Sequence, residues 1–178
     1  MKTPLSITNA CHTSSIVAIA SGLLFGPLLS ATMGQATPFN PDQPNFAKDA
    51  TVTAEGTTAA PGVSVKNLTD SNALTFWKGT VPSVITLDLG EVKDISSLDL
   101  YIPPQYATPR KQEIEVKTSP DGSTYTVASA KELQVFGPQG KNMLSIPLAA
   151  KARYVRVTIT SNDQDGGEAL LSEISIPH

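Results

Sequence analysis

"VITLDLG" at residues 84–90 and "SLDLYI" at residues 97–102 decide the fold class. In the first, Ile85, Leu87 and Leu89 fall on one side of an extended chain and Thr86 and Asp88 on the other; in the second, Leu98, Leu100 and Ile102 repeat the pattern. A period of two marks a strand with one packed face, because successive side chains of an extended backbone point to opposite sides. The alternation continues outward. "QEIEVKTS" (112–119) buries Ile114 and Val116 and turns Glu113, Glu115 and Lys117 to solvent. It stops at the turn "PDG" (120–122), and "TYTVAS" (124–129) returns with Tyr125 and Val127. "DATVTAE", "ELQVF", "NMLSIPL", "ARYVRVTIT" and "ALLSEISI" bring the total to eight or nine short strands with no helical stretch. Short alternating strands predict an all-β antiparallel sandwich, with a closed barrel as the alternative that periodicity does not separate.

The first 36 residues read differently. Ile16–Leu29 is an apolar run behind a lone Lys2, and "MGQA" (33–36) ends in small residues, the pattern of a secretory signal cut after Ala36. A membrane span wants about 20 apolar residues without Gly and Pro in their midst. The prediction is export to the periplasm, the cell surface or the medium. "TPFNPDQP" (37–44), with three prolines, predicts an extended arm, and the domain is expected to fill residues 45–178.

Removing residues 1–36 removes Cys11, the one cysteine, so the exported domain has no disulfide to stabilise it. It also removes Lys2, leaving 12 basic against 16 acidic residues and a charge of -4. No basic stripe interleaved with aromatics is present, which argues against a nucleic-acid partner. The remaining histidine is His178, at the end of the chain. Ser-His-Asp and Cys-His catalysis therefore lack a base, and zinc lacks nitrogen and sulfur donors. Glu113 and Glu115 share a strand face, but they are the solvated half of an alternating strand rather than a catalytic carboxylate pair.

One stretch concentrates oxygen. "LTDSNALTFW" (68–77) sets Asp70, Asn72 and Thr75 just ahead of Trp77, the only tryptophan. Such residues make Asx turns, and a tryptophan anchors a turn to a core. They are also hard-cation ligands, since calcium takes six to eight oxygens of mixed kind. The spacing is not an EF-hand: Thr75 stands where the glycine belongs and Val81 where the glutamate belongs. The local sequence leaves turn and metal site open.

The order of the pieces resembles the discoidin, or coagulation factor five/eight type C, domain and its galactose-binding-like relatives. The resemblance rests on "NFAKDATVTA", "NLTDSNALTFW", "ITLDLGEVKDISSLDLY", "EIEVKTSPDGSTYTVAS", "ARYVRVTIT" and "SEISI", in that order from Asn45 to Pro177. It implies a jelly-roll sandwich of about eight strands and a structural calcium ion. By position the ion would take the Asp70 carboxylate, Thr75, backbone carbonyls of Asn67, Asn72 and Ser172, and the Glu173 carboxylate from the last strand. It further implies a non-catalytic module that binds glycans through loops at one end, with a protein-contact or cell-adhesion module as the alternative.

The corresponding loops are residues 55–64, 77–83, 103–110 and 161–167. Sugar recognition needs an aromatic face and convergent polar groups. Tyr106 and Arg110 are the best pair on offer, with Asn162 and Asp163 in support. These loops carry no histidine, which counts against galactose specificity. "TTAAPGV" (57–63) lacks the bulky apolar tip that a membrane lipid would need. The outward residues Tyr154 and Arg156 of "ARYVRVTIT" read as structural, with the arginine bonding neighbouring strands.

Overall fold

The computed structural model describes residues 39–106, 108–137 and 142–178. The signal-like segment 1–36 lies outside them. Eight strands follow in chain order: β1 Thr51–Ala54, β2 Trp77–Gly79, β3 Ser83–Tyr101, β4 Arg110–Ser119, β5 Thr126–Phe136, β6 Met143–Asn162, β7 Ala169–Leu171 and β8 Glu173–Ser175. Six form one antiparallel sheet in the order β1-β3-β6-β4-β5, with β8 added to β3, and β2 pairs with β7 in a second sheet. Because β1 and β5 are free edges of the order, the sheet is open and the barrel alternative falls. The chain is an antiparallel β-sandwich.

The strands are longer than the alternation suggested. "VITLDLG" and "SLDLYI" are two halves of β3, and "NMLSIPL" and "ARYVRVTIT" are two halves of β6. The β3–β6 ladder slips between Asp88 and Lys93 and again between Ile95 and Ser97. Bulges of this kind bend a strand without ending it, so each long strand can carry its apolar face round the core. Ile85, Leu87, Leu98, Leu100, Val116, Val155, Val157 and Ile159 are wholly buried.

Two expectations change. Val127 was paired with Tyr125 as a core residue, yet it is exposed, because the β4–β5 register shifts on both sides of Val116 and turns Val127 outward opposite Lys117. The arm 37–44 is not simply extended where it is described. Asn40 accepts the Gln43 amide in a turn, and Phe39 lies edge-on against Tyr101 at 5.1 Å. The domain then closes on itself: Asn45 Oδ1 accepts the amides of Ala47 and Ile176, tying its first turn to its last residues. Among the described residues no helix is long and apolar enough to cross a membrane.

Candidate binding loops and an oxygen-lined joint

The residues of the "DSNALT" loop meet the end of the chain through one ladder. Trp77 pairs with Leu171 across β2 and β7. The antiparallel register therefore carries the loop before Trp77 towards Ser172 and Glu173. Trp77 itself is wholly buried and donates from its ring nitrogen to the Thr57 hydroxyl at 3.0 Å. Gly79, two residues on and on the same face, has room for nothing else: a Cβ there would come within 2.4 Å of the indole ring.

Within the loop, Asp70 Oδ1 accepts the Asn72 amide (3.0 Å) and Asn72 Oδ1 accepts the Leu74 amide (3.1 Å). The Thr75 hydroxyl reaches both Asp70 Oδ2 and the Asn72 carbonyl at 2.8 Å. These are successive Asx turns, with Ser71 held at φ 61° between them. Asn67 braces the loop from below, its side-chain amide donating to the carbonyls of Gly62 and Phe76.

Glu173 is the exception to this economy. It is fully buried, and neither carboxylate oxygen has a hydrogen-bond partner; the Ser172 hydroxyl beside it is likewise buried and unpartnered. Burial, with the negative charge of Asp70 added, pushes the Glu173 carboxyl up to about 8, although the amides of Ser71 and Asn72 face it. An unpaired buried charge is among the costliest features a fold can carry. Among the described residues no three His, Cys, Asp or Glu side chains converge, so a cation here would draw on two carboxylates and on backbone and hydroxyl oxygens.

The expected ligand loops give a second cluster. The Tyr106 ring stands edge-on to Phe76 at 6.1 Å, with the Arg110 guanidinium 4.6 Å from its centroid and the Lys78 ammonium 6.0 Å away. Lys78 lies 3.9 Å from Glu168, whose carboxylate also accepts the Thr58 hydroxyl. Tyr106 is half-buried, as a platform residue would be.

Arg110 is a correction. It is the first residue of β4 and only 1% exposed, so it supports the Tyr106 ring rather than projecting from a loop. The alternation contained this: Arg110, Gln112, Ile114 and Val116 occupy one face, and that face is the core. Asn162 and Asp163 also serve the scaffold. The Asn162 amide holds the Glu168 carbonyl, and Asp163 Oδ1 accepts the Lys111 amide at 2.8 Å. Lys78, Glu168, Phe76 and Thr58 were missed by the sequence reading. For Lys78 a signal existed: it follows the inward Trp77 and must face the other way.

A shallow depression of about 450 Å³ between the middles of β3 and β6, bounded by Asp94, Ile95, Leu148 and Lys151, shares no residue with either cluster. An aromatic ring with charged and hydroxyl neighbours, drawn from residues in and beside β2, β4 and β7, is the side-chain cluster that the expected ligand loops assemble.

The chain belongs to the F5/8 type C domain family, which it matches over residues 50–174. Solved structures share the fold at low identity. One is the family 32 carbohydrate-binding module of NanJ from C. perfringens, in complex with galactose (14% identity, TM-score 0.62, covering 75% of this chain and 98% of that one). Another is the Clostridium perfringens module CpGH89CBM32-5, in complex with GalNAc-β-1,3-galactose (18%, 0.64, 76% and 100%). A third is a chitosan-binding module from a chitosanase/glucanase of Paenibacillus sp. IK-5 (19%, 0.60, 76% and 99%). Among curated proteins none matches the chain.

Proposed function

We propose that this domain is an exported, non-catalytic glycan-binding module that takes a sugar at the Tyr106 loops and is held together by a calcium ion between the Asp70 loop and the start of β8. The observation that carries the binding half is the Tyr106 platform. Its ring is propped by the buried Arg110 and by Phe76, and it sits beside Lys78, Glu168 and Thr58. An aromatic face suits the C–H side of a sugar ring, and the charged and hydroxyl groups around it suit sugar hydroxyls. The glycan complexes of similar structures add support.

Calorimetric titration of galactose-terminated, N-acetylgalactosamine-terminated and chitosan oligosaccharides tests the reading. At least one binds the wild type, and Tyr106→Ala weakens it by roughly tenfold or more without shifting the melting midpoint, since stacking is worth about 1 to 2 kcal/mol. No binding by any glycan, or binding indifferent to Tyr106, contradicts it.

The calcium half rests on Glu173. Two buried, unpartnered oxygens beside an exposed Asp70 suit a hard cation, and a donor set made wholly of oxygen suits calcium over zinc. Asp70 and Glu173 would supply the carboxylates, Asn67, Asn72 and Ser172 carbonyls, and Thr75 an oxygen. Bound there, the ion would neutralise the joint between the first long loop and the last strand. Export rests on the apolar run 16–29 and the small residues 33–36. A protein-contact module is the second reading, favoured by the exposed Val127, Leu133 and Val135 along the edge strand β5.

A further inference from the structure

The outer face of the long sheet carries an arginine with no acid to meet. Along β6, Val155, Val157 and Ile159 are buried while Tyr154, Arg156 and Thr158 face outward. The register sets Thr86 of β3 and Lys117 of β4 opposite Arg156, and Asp88 opposite Tyr154. The nearby carboxylates are already engaged: Arg153 takes Asp88 through Nε and Nη2 at 2.6 and 2.8 Å, and Lys117 takes Glu115 at 2.8 Å. Arg156 instead lies flat on Tyr125, its guanidinium carbon 3.7 Å from the ring centroid. Its Nε is buried without an acceptor, and among the described residues its Nη nitrogens hold none either.

Stacking fixes the plane of a guanidinium before any ligand arrives, and the planar fork matches a carboxylate better than a point charge does. Tyr154, two residues away and about 7 Å along the strand, carries the Arg153 guanidinium 4.9 Å from its ring centroid, so it walls the site rather than offering an open face. Its underside is closed by Gly122 in the β4–β5 turn (φ 78°), where a Cβ would come within 3.0 Å of the ring. This is not the Tyr106 cluster. Six residues of β6 separate Arg156 from Asn162, about 20 Å in an extended strand. The 120–125 turn closes the opposite end of β4 from Arg110.

We propose that Arg156, stacked on Tyr125 with Tyr154 beside it, forms a second sugar subsite that takes the carboxylate of a uronate residue. It extends glycan recognition to a site independent of the Tyr106 loops.

The test titrates the protein with tetragalacturonate and with its fully methyl-esterified counterpart, which has the same rings and no charge. Wild type prefers the acid. Arg156→Met, which keeps an apolar stem and loses the fork, weakens acid binding by roughly tenfold, the value of one charge-assisted pair, and brings it level with the ester. Tyr106→Ala leaves the preference for acid over ester in place, so failure of the loop site and failure of this one read differently. Equal binding of acid and ester by wild type overturns the proposal, as does an acid preference that survives Arg156→Met. Should Arg156→Met melt at a clearly lower temperature, Arg156→Lys decides. A reduced acid preference supports the fork; an undiminished one overturns it.

Discussion

Two places in this domain handle charge in opposite ways. On the sheet surface, Asp88 has everything it needs: the Arg153 guanidinium closes on both its oxygens and holds its carboxyl down to about 2. At the joint between the "DSNALT" loop and β8, Glu173 is sealed in with no partner, and its carboxyl rises to about 8. The first is a completed ion pair and the second a buried carboxyl with no cation beside it among the described residues. An added component belongs at the buried group whose cost nothing present offsets. The Tyr106 cluster is a third arrangement, in which a buried arginine supports an aromatic ring, so the supporting residue and the residue proposed to meet a sugar are separate.

That separation can be attacked from either side. The largest effect belongs to Trp77→Ala, which removes the buried ring tying β2 to the core and costs about 3 to 5 kcal/mol by the usual large-to-small rule. Chemical denaturation measures it. A loss this large with calcium present as well as with chelator locates the joint's strength partly in packing. Asp70→Ala comes next. At calcium about 100-fold above its dissociation constant, a bound ion adds about 2.7 kcal/mol, and the variant forfeits that increment, differing from wild type in chelator only by the loss of the exposed turn bonds to Asn72 and Thr75.

Arg153→Ala is smaller, because the Asp88 pair is partly solvated and screened. Its signature is in acid. Asp88 is depressed from an ordinary 3.8 to about 2, so its contribution is fully present above roughly pH 4 and is lost as the pH falls towards 2. Removing Arg153 erases that limb of the stability curve. An unchanged acid limb would mean that the pair contributes nothing in solution.

Much of this was legible in the sequence, and what was not has physical causes. Alternation in "VITLDLG", "QEIEV" and "ARYVRV" gave the strands and their buried faces, because a half-packed sheet enforces a period of two. It did not give strand lengths, since a bulge between Asp88 and Lys93 preserves pairing while interrupting the pattern. The same blindness to bulges put Val127 on the wrong face. The oxygen joint was visible as a cluster at 70–75, but the isolation of Glu173 was not, because a missing partner is a property of three-dimensional packing. Arg110 was misjudged by weighing its loop over its parity with Ile114. Arg156 was read as bonding neighbouring strands, whereas the acids around it are taken and it rests on Tyr125.

The most direct test of the open joint is the melting midpoint of wild type and Glu173→Gln, each with calcium and with chelator. Calcium raises the wild-type midpoint by roughly 10 °C at saturating concentration. In chelator at neutral pH Glu173→Gln melts above wild type, because the wild-type carboxyl must take up a proton to be buried and the amide need not, and calcium no longer moves it. A wild type indifferent to calcium, or a variant that responds to it as wild type does, contradicts the account.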